Sequence, residues 1–517
     1  MVMGTASDVG KSVVSAGVCR LLHRRGIRVA PFKAQNMSLN CFVTAEGGEM
    51  GRAQVVQAQA CGLLPHVDMN PILLKPEADN CSQVIIQGKV WGKHDARNYF
   101  ARHDELFPFV EQSYQRLAQN YDIIVIEGAG SAAEMNLRDK DLVNWPVAHM
   151  ADAAVFLVAD IDRGGVFAQV IGTLDLLRPE ERQRVAGIIV NKFRGDALLF
   201  DDGVTFLVKR TKLPVLGVVP FMRGLNLDQE DSLEFDRRQQ IPFAPDKVNI
   251  AVVLLPHMGN FTDFTALAAE PDVILRYVAA PKELLGADVA IIPGTKSTVA
   301  DLHSLDEKTL RAALAAHVGS GGELVGLCGG YQMLGREIAD PCEIESGGTG
   351  MGFGLLDIHT ELTENKTTVQ VEALPLMFDT GADSAVQGYE IHMGRTTLGD
   401  ATSCFQIISG SKEKSAEPRL DGAMSRDRCV WGSYIHGVFD GSAFRRMWLN
   451  RIRERKKLAP LGLAVSETVN GKLQSAIDDW ADHLQQYLNL QPIFDAIAMK
   501  SHVSVKPEQF VRSRQNC

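Results

Sequence analysis

A glycine-rich segment near the N-terminus has the residue types of a phosphate-binding loop. Residues 4–12 read GTASDVGKS and separate a short apolar start from an amphipathic stretch. In such loops, backbone N–H groups at a helix N-terminus bind an anion, a lysine reaches the terminal phosphates, and a hydroxyl coordinates Mg²⁺. The spacing is one residue longer than in the plain form, with five residues between the two loop glycines. We predict that Asp8, Gly10, Lys11 and Ser12 contact a nucleotide and that Ser12 contacts Mg²⁺.

Two later strand ends complete this predicted site. Glu127 follows four β-branched residues in IIVIEG and precedes a glycine, so it is predicted to be the second Mg²⁺ contact. The alternative is a strand-end glutamate on a solvated loop. Asn191, in VNKFRGD, ends another apolar run at a position suited to reading a purine edge. A solvated loop is an equally good interpretation of Asn191.

A second kind of chemistry is indicated by Cys328, which lies in the sequence GLCGG. The sequence follows an apolar run and precedes a helical pattern, as in a nucleophile elbow, where glycines permit a strained turn that projects the nucleophile. The N-terminus of the following helix favours a thiolate, and the N–H of Gly329 is placed to stabilise an oxyanion. Gly294, in the loop PGTKST after another strand, is the predicted second oxyanion donor.

A cysteine nucleophile needs a base, and two histidines lie in comparable settings. His436 ends an apolar run beside a glycine in GSYIHGVFD, and His392 lies in GYEIHMGR. We predict that His436 is the base and that His392 is structural.

The elements that must position these groups follow an alternating α/β pattern. Short Val/Ile-rich runs that are apolar on both faces are typical of buried parallel strands. In the first 220 residues these runs are IIVIEG (123–128), AVFLVAD (154–160), GIIVNKF (187–193) and VLGVVP (215–220). A second series runs through NIAVVLLP (249–256), VAIIPGT (289–295) and ELVGLCGG (323–330).

These series predict two α/β domains. We expect a doubly wound parallel-sheet domain of the P-loop NTPase type over 1–225, a charged linker over 226–246, and a second α/β domain over 247–445. A helical extension with a polar tail is expected over 446–517.

Composition narrows the class of protein. Hydrophobic residues make up 45% and charged residues 22%, which is ordinary globular usage. The 53 Lys and Arg against 63 Asp and Glu give a net charge of -10, which argues against a nucleic-acid or anionic-membrane partner. The nine cysteines form no C-x-x-C pair, and no window resembles a signal peptide or membrane helix. A cytoplasmic location is expected.

The thiol motif GLCGGYQMLG with its downstream histidine resembles the class I glutamine amidotransferases, in which the thiol releases ammonia from glutamine. Most of that class carry a Glu two residues after the histidine, where this chain has Val438. The resemblance therefore leaves the third member of the catalytic set unassigned. The N-terminal GTASDVGKS and EGAGS resemble the dethiobiotin-synthetase-type ATPases, which implies ATP as the nucleotide.

Longer segments resemble the cobyric acid synthase family over about residues 1–490. They are APFKAQNMSLN (30–40), MNPILLKPEADNCSQVIIQGK (69–89), NKFRGD (191–196), PGTKST (293–298) and GYEIHMGRT (388–396). The resemblance implies amidation of four carboxylates of adenosylcobyrinic acid a,c-diamide, with ATP, Mg²⁺ and glutamine. Lys33 and Lys75 lie in these segments, and Arg52 lies between the first two of them; these three residues are the candidate contacts for the polycarboxylate.

Three alternatives remain open from the sequence. The chain could be a cobyrinate a,c-diamide synthase or another glutamine-dependent amidoligase. It could be a partitioning or septum-site ATPase, although those carry an extra lysine near the start of the loop, where this chain has Thr5 and Ala6. It could also join a live ligase to an inactive glutaminase. The oligomeric state is not indicated.

Overall fold

A computed structural model describes residues 1–78, 81–225, 227, 241–345, 347–378, 384–410, 419–462 and 469–500. The N-terminal half contains, in chain order, β1 (Val2–Gly4), α1 (Lys11–Arg24), β2 (Val29–Phe32), β3 (Gln35–Met37), β4 (Cys41–Val43), β5 (Glu49–Gly51), α2 (Arg52–Ala60), β6 (Ile72–Ala78), β7 (Cys81–Ile86), β8 (Lys89–Asp95), α3 (Ala96–Phe100), α4 (His103–Asn120), β9 (Ile123–Ile126), α5 (Trp145–Met150), β10 (Val155–Asp160), α6 (Val166–Leu176), α7 (Pro179–Arg184), β11 (Val185–Phe193), α8 (Asp201–Thr211) and β12 (Val215–Pro220).

The C-terminal half continues with β13 (Val248–Val253), α9 (Thr265–Ala268), β14 (Val273–Val278), β15 (Val289–Ile292), α10 (Thr298–Glu307), α11 (Leu310–Gly319), β16 (Glu323–Leu327), α12 (Gly329–Leu334), β17 (Glu337–Asp340), β18 (Gly348–Met351), β19 (Ile358–Pro375), β20 (Val386–Leu398), β21 (Phe405–Ser409), β22 (Arg419–Asp421), β23 (Ala423–Met424), β24 (Val430–Ser433), β25 (Ile435–His436), α13 (Ser442–Arg455), α14 (Val469–Tyr487) and α15 (Gln491–Lys500).

The phosphate loop lies on a parallel sheet, as the sequence predicted. Strands β1, β10, β11 and β12 pair in that order, and all are parallel. The parallel pair β2 and β9 joins them through a bridge between Val2 and Glu127. All six residues of β10 are buried, because helices cover both faces of the sheet. The carboxyl edge of the sheet therefore brings the phosphate loop, Glu127 and Asn191 together.

A second, mostly antiparallel sheet lies in the N-terminal half. It has the order β3-β6-β7-β8, with the two-stranded pair β4-β5 beside it. These strands are not predicted from the apolar pattern, because β3, β4 and β5 have only three residues each and charged residues such as Lys75 and Glu77 interrupt β6. Strand β4 contacts β19 and β20 of the C-terminal half, and the Tyr389 hydroxyl donates to the Cys41 carbonyl at 2.9 Å.

The C-terminal half contains two sheets. One has the order β14-β13-β15-β16-β24-β23 and is parallel except for β23. It includes the three strands predicted from the second alternating series. The other has the order β18-β17-β19-β20-β25, with β21 paired to β19. The last strand, β25, carries His436 back to the end of the first sheet.

The C-terminal helices return to the N-terminal half. Helix α14 packs on α1, and Trp480 donates a hydrogen bond from Nε1 to the Val13 carbonyl at 2.6 Å. Gly17 of α1 allows this approach, because a Cβ there would lie 2.3 Å from Leu484. Helices α14 and α15 of the predicted extension are thus part of the hydrophobic core beneath the phosphate-loop helix, whereas its first residues belong to α13 and pack in the core of the C-terminal half. Residues beyond 500 lie outside the described part of the chain.

Most of the predicted linker, 226–246, also lies outside the described residues, so its boundaries stay a prediction. Within the described part of the chain, no helix has the length and apolar character needed to cross a membrane.

Replacing Trp480 with alanine should destabilise the protein by about 3–5 kcal/mol, the usual cost of deleting a buried tryptophan side chain. Trp480 is 3% exposed and supports the helix that carries Lys11 and Ser12. Equilibrium denaturation by urea measures the change. The exposed Gln486→Ala variant of the same helix should stay within about 0.5 kcal/mol of wild type. Equal stabilities of the two variants would contradict this role for α14.

Candidate active sites

The predicted nucleophile lies on a strained turn between β16 and α12. Cys328 has φ 51° and ψ -110°, a conformation that non-glycine residues adopt at a cost. Its neighbours must be glycine: a Cβ on Gly326 would lie 2.6 Å from the Gly330 carbonyl oxygen, and one on Gly330 would lie 2.1 Å from that of Ile292. The turn aims the thiol into a cavity at the interface of the two halves.

His436 and a buried carboxylate lie beside this thiol. His436 lines the same cavity as Cys328, and its Nδ1 lies 2.7 Å from Oδ2 of Asp263. The other Asp263 oxygen accepts the N–H of Gly437 at 2.9 Å, which fixes the carboxylate. Burial alone would lower the pKa of His436, but the charges of Asp263 and Cys328 raise this pKa to about 10. The arrangement therefore favours an imidazolium held between a carboxylate and the sulfur.

Asp263 was not found from the sequence. It comes from a short 3-10 helix (Phe261–Phe264) after β13, 173 residues before the histidine. The usual glutamate position, Val438, is buried in the core. No spacing rule links Asp263 to His436, because the two meet only when β13 and β25 come together at the same end of the C-terminal half.

The two predicted oxyanion donors lie beside the thiol. A Cβ on Gly294 would be 3.5 Å from the Cβ of Cys328 and 3.1 Å from Cε1 of His436. Gly329 is the first residue of α12 and lines the same cavity. Both backbones approach the reacting atoms closely, as oxyanion donors must. Their catalytic role stays a prediction.

His392 lies in the same cavity but differs from His436. Its ring stacks on Tyr434 with centroids 3.7 Å apart. Burial lowers the pKa of His392 to about 3, against a hydrogen bond with the backbone of Gly394 that raises it. The ring is therefore neutral at physiological pH and forms part of the cavity wall.

The phosphate loop connects β1 to α1. Gly10 has φ +98°, and a Cβ there would lie 2.3 Å from Nδ2 of Asn191. That amide donates to the Val9 carbonyl at 2.9 Å, so Asn191 braces the loop and its amide nitrogen points into the protein. This contact favours a loop-positioning role over the predicted reading of a purine edge. Asp8 is half-exposed and lies 3.4 Å from Arg163.

The lysine, hydroxyl and carboxylate predicted for phosphate and Mg²⁺ converge at this loop. The Lys11 ammonium donates to the carbonyls of Ala6 and Gly130 at 3.1 and 2.9 Å. The lysine side chain therefore crosses the opening of the loop. Ser12 Oγ donates to Oε1 of Glu127 at 2.8 Å. Glu127 is fully buried and is the only one of these groups with negative charge.

This donor set fits Mg²⁺. The ion commonly takes one or two carboxylates together with substrate phosphates and water. Among the described residues there is no cluster of three or more His, Cys, Asp and Glu side chains that could hold a metal ion. Ser12 and Glu127 would therefore hold the ion only together with the phosphates of a nucleotide.

The two lysines predicted to bind the polycarboxylate are buried. Lys33 is 2% exposed and lies 3.0 Å from Oε1 of Glu127, so it belongs to the phosphate site. Lys75 lines the thiol cavity and lies 2.5 Å from Oε1 of Glu49. Arg52 lies over the ring of Phe42 at 5.4 Å. These contacts engage the positive charges within the protein, which does not favour the predicted substrate contacts.

Lys366 of β19 completes a buried charged cluster with Glu49 and Lys75. Its ammonium binds the second oxygen of Glu49 and Oε1 of Gln83, the latter at 3.1 Å. Burial opposes ionisation of Glu49, yet the two lysines hold the pKa of this carboxyl well below its usual range. Burial lowers the pKa of Lys366 to about 8, with Glu49 opposing that change. The cluster joins the two halves beside the thiol cavity.

A seam of buried amides connects the two sites. Asn36, Asn40, Gln54 and Gln57 are each at most 3% exposed, and Asn36 Nδ2 donates to Oε1 of Gln54 at 2.9 Å. Gln57 Nε2 donates to Glu127 at 2.5 Å at one end of the seam. At the other end, Asn40 accepts from Thr262 of the C-terminal half at 3.1 Å, beside the asparagine that contacts His436.

Three atoms of this seam lack a hydrogen-bond partner within the described residues: Nδ2 of Asn40, Nε2 of Gln54 and Oε1 of Gln57. Each such atom costs about 1–3 kcal/mol when it is buried unpaired. The segment KAQNMSLN, which the sequence singled out only by resemblance, thus runs from the phosphate site to the thiol cavity.

Comparisons with known proteins follow the same division of the chain. Residues 1–234 match the CobQ/CobB/MinD/ParA nucleotide binding domain, and residues 249–444 match the CobB/CobQ-like glutamine amidotransferase domain. Solved structures with local likeness include PurLQS from Thermotoga maritima, at 16% identity and a TM-score of 0.29, covering 45% of this chain and 99% of that one.

Curated relatives match nearly the whole chain. A protein of Syntrophobacter fumaroxidans named cobyric acid synthase is 45% identical over 501 residues, covering 95% of this chain and 97% of the relative. Proteins with the same name from Sorangium cellulosum and Citrobacter koseri are 49% and 47% identical, covering 89% and 98% of this chain and 91% and 96% of the relatives.

Replacing Asp263 with asparagine should lower glutamine hydrolysis by about 10²-fold or more, the scale of losing general acid–base catalysis. The carboxylate holds the His436 ring and raises its pKa, so its loss should also move the alkaline limb of the pH–rate profile to lower pH. Glutamate release measured from pH 6 to 10.5 checks both effects. Asp440→Asn, which changes an aspartate three residues after Gly437, is the matched control. An unshifted alkaline limb in Asp263→Asn would refute the pairing.

Proposed function

Because the chain belongs to the cobyric acid synthase family, we propose that it amidates corrinoid carboxylates in cobalamin synthesis, using ATP and glutamine. We further propose that adenosylcobyrinic acid a,c-diamide is the substrate and that its b, d, e and g carboxylates become amides, giving adenosylcobyric acid. The observation that carries the proposal is the presence, in one chain, of a thiol–imidazole–carboxylate set and a phosphate loop joined by a buried polar seam.

The glutaminase half-reaction uses the C-terminal half. The Cys328 thiolate attacks the side-chain amide carbon of glutamine, and the N–H groups of Gly294 and Gly329 stabilise the resulting oxyanion. The His436 imidazolium gives its proton to the departing nitrogen, so that ammonia leaves and a thioester remains. Water, deprotonated by the neutral imidazole, then hydrolyses the thioester to glutamate and restores the thiolate–imidazolium pair. Asp263 orients the ring throughout.

The ligase half-reaction uses the phosphate loop. A carboxylate is a poor electrophile because its leaving group would be oxide, so it first takes the terminal phosphoryl group of ATP. Lys11 and Lys33 offset the negative charge of the transferring group. Mg²⁺, when bound at Ser12 and Glu127, would neutralise phosphate charge and polarise the phosphoryl oxygens. Ammonia then attacks the acyl phosphate, and inorganic phosphate leaves with the formation of the amide.

Ammonia must reach the acyl phosphate unprotonated, because ammonium is not a nucleophile and predominates in water at neutral pH. The seam of Asn36, Asn40, Gln54 and Gln57 supports transfer through the protein. A neutral amide donates hydrogen bonds to ammonia and accepts hydrogen bonds from it, but it has no acidic proton with which to protonate ammonia. The amide atoms that lack a partner are places where ammonia can bind. We propose that ammonia moves along this seam.

The three alternatives that the sequence left open are less favoured than this proposal. The names of the relatives favour cobyric acid synthase over the sister cobyrinate a,c-diamide synthase. The partitioning ATPases do not explain a matched glutamine amidotransferase domain. Asp263 supplies the carboxylate that Val438 does not, which speaks against an inactive glutaminase.

Incubation with the a,c-diamide, ATP, Mg²⁺ and glutamine should give a corrinoid product lighter by about 1 Da for each carboxylate converted to an amide. Mass spectrometry with fragmentation should locate four new amides. Conversion at the a and c positions of cobyrinic acid instead would assign the chain to the sister activity.

The Cys328→Ala variant should lose glutamine-dependent amidation and keep amidation driven by ammonium salts, because the acyl phosphate forms at the other site. The rescued rate should rise with pH from 7 to 9, as the neutral ammonia fraction grows. Product formation followed by chromatography measures both rates. Cys342→Ala, which removes an exposed thiol, is the matched control. Failure of ammonium to rescue Cys328→Ala would contradict the proposal that glutamine hydrolysis and amidation take place at separate sites.

A further inference from the structure

A cavity of about 350 Å³ lies beside the phosphate loop. The segment 129–149 forms most of its wall, and β3, the end of α3 and Arg178 complete it. Gly130 lines this cavity, and its carbonyl accepts the Lys11 ammonium at 2.9 Å. A group bound in this cavity therefore reaches the position where the terminal phosphate of a nucleotide would lie.

The cavity wall is largely apolar. Met37, Phe100, Leu137 and Trp145 line it, and Met37 is 53% exposed. Trp145 is held in place by a hydrogen bond from Nε1 to the Ala132 carbonyl at 2.7 Å. An exposed methionine and fixed aromatic rings suit a large, flat, apolar ligand.

The acidic groups of the cavity are already engaged within the protein. Asp141 accepts three successive backbone N–H groups at 2.8–3.0 Å, at the start of α5. Glu134 accepts a backbone N–H at 3.1 Å. Glu181 binds Arg138 at 2.7 Å. Arg138 offsets the charge of Glu181, and the backbone N–H groups hold Asp141 and Glu134 in fixed positions.

Two cationic side chains at the rim of the cavity are not engaged in this way. Lys140 and Arg178 are exposed and line the cavity, and within the described residues neither has a carboxylate partner. An apolar wall with two available positive charges complements a ligand that carries carboxylates around an apolar ring.

We propose that this cavity binds one edge of the macrocyclic polycarboxylate substrate, a proposal that rests on the function above. The apolar wall contacts the ring edge, Lys140 and Arg178 bind carboxylates that are not reacting, and one carboxylate enters beside Lys11. A corrin ring is larger than the cavity, so only one edge enters at a time. Successive amidations then require the ring to rebind with a different edge inward.

The test uses the full-length enzyme with Lys140→Ala and Arg178→Ala combined. The KM for the corrinoid should rise about tenfold or more for the loss of two charge-assisted contacts, with the KM for ATP within twofold of wild type. The effect should shrink for substrates that already carry more amides, because fewer carboxylates remain. Lys209→Ala, an exposed cation on α8, is the control for net charge and should leave both constants unchanged.

A second variant and a second measurement separate binding from folding. Met37→Asp places a negative charge in the wall at an exposed position and should weaken corrinoid binding, measured by isothermal titration calorimetry without ATP. Unchanged corrinoid affinity in both variants, with wild-type amidation intact, would overturn this site and leave the proposed function standing. Absence of corrinoid amidation by the wild-type enzyme would overturn both.

Discussion

The carboxylate of Glu49 holds the two halves of the molecule in register. It is 1% exposed and lies between Lys75 of the N-terminal half and Lys366 of the C-terminal half. Removing one partner of a buried ion pair typically costs about 3–5 kcal/mol, because a charge is left without compensation away from water. Displacing one half against the other would separate these charges, so the cluster tolerates little displacement. The seam of amides is held at one end by the contact of Gln57 with Glu127 and at the other by the contact of Asn40 with Thr262.

The thiol site illustrates how a catalytic set is assembled from distant segments. Cys328 depends on glycines that permit a strained turn, whereas His436 depends on the arrival of β25 at the end of the sheet. The orienting carboxylate comes from Asp263, which lies after the first strand of the domain. A carboxylate can orient the histidine ring only if it lies within hydrogen-bond distance of Nδ1 of that ring, so its role is decided by geometry alone. Its position along the chain is irrelevant to that requirement.

The phosphate site shows the complementary case, in which most of the parts are local. Lys11 and Ser12 are adjacent to the loop that binds phosphate, and only Glu127 and Lys33 come from other strands. The helix that carries the loop residues is nevertheless covered by α14 from the far end of the chain. The ATP-binding half is therefore complete only when α14, which follows the C-terminal half in the chain, packs on α1.

The sequence by itself determined the parallel strands, the phosphate loop and the nucleophile turn. These features depend on neighbouring residues: runs of valine and isoleucine, and glycines next to the reactive group. Only the tertiary structure decided the partner of His436, the burial of Lys33 and Lys75, the inward-facing amide of Asn191 and the docking of the C-terminal helices. Each of these depends on contacts between residues far apart in the chain, and a hydrogen bond or ion pair at such a distance leaves no periodic trace in the sequence.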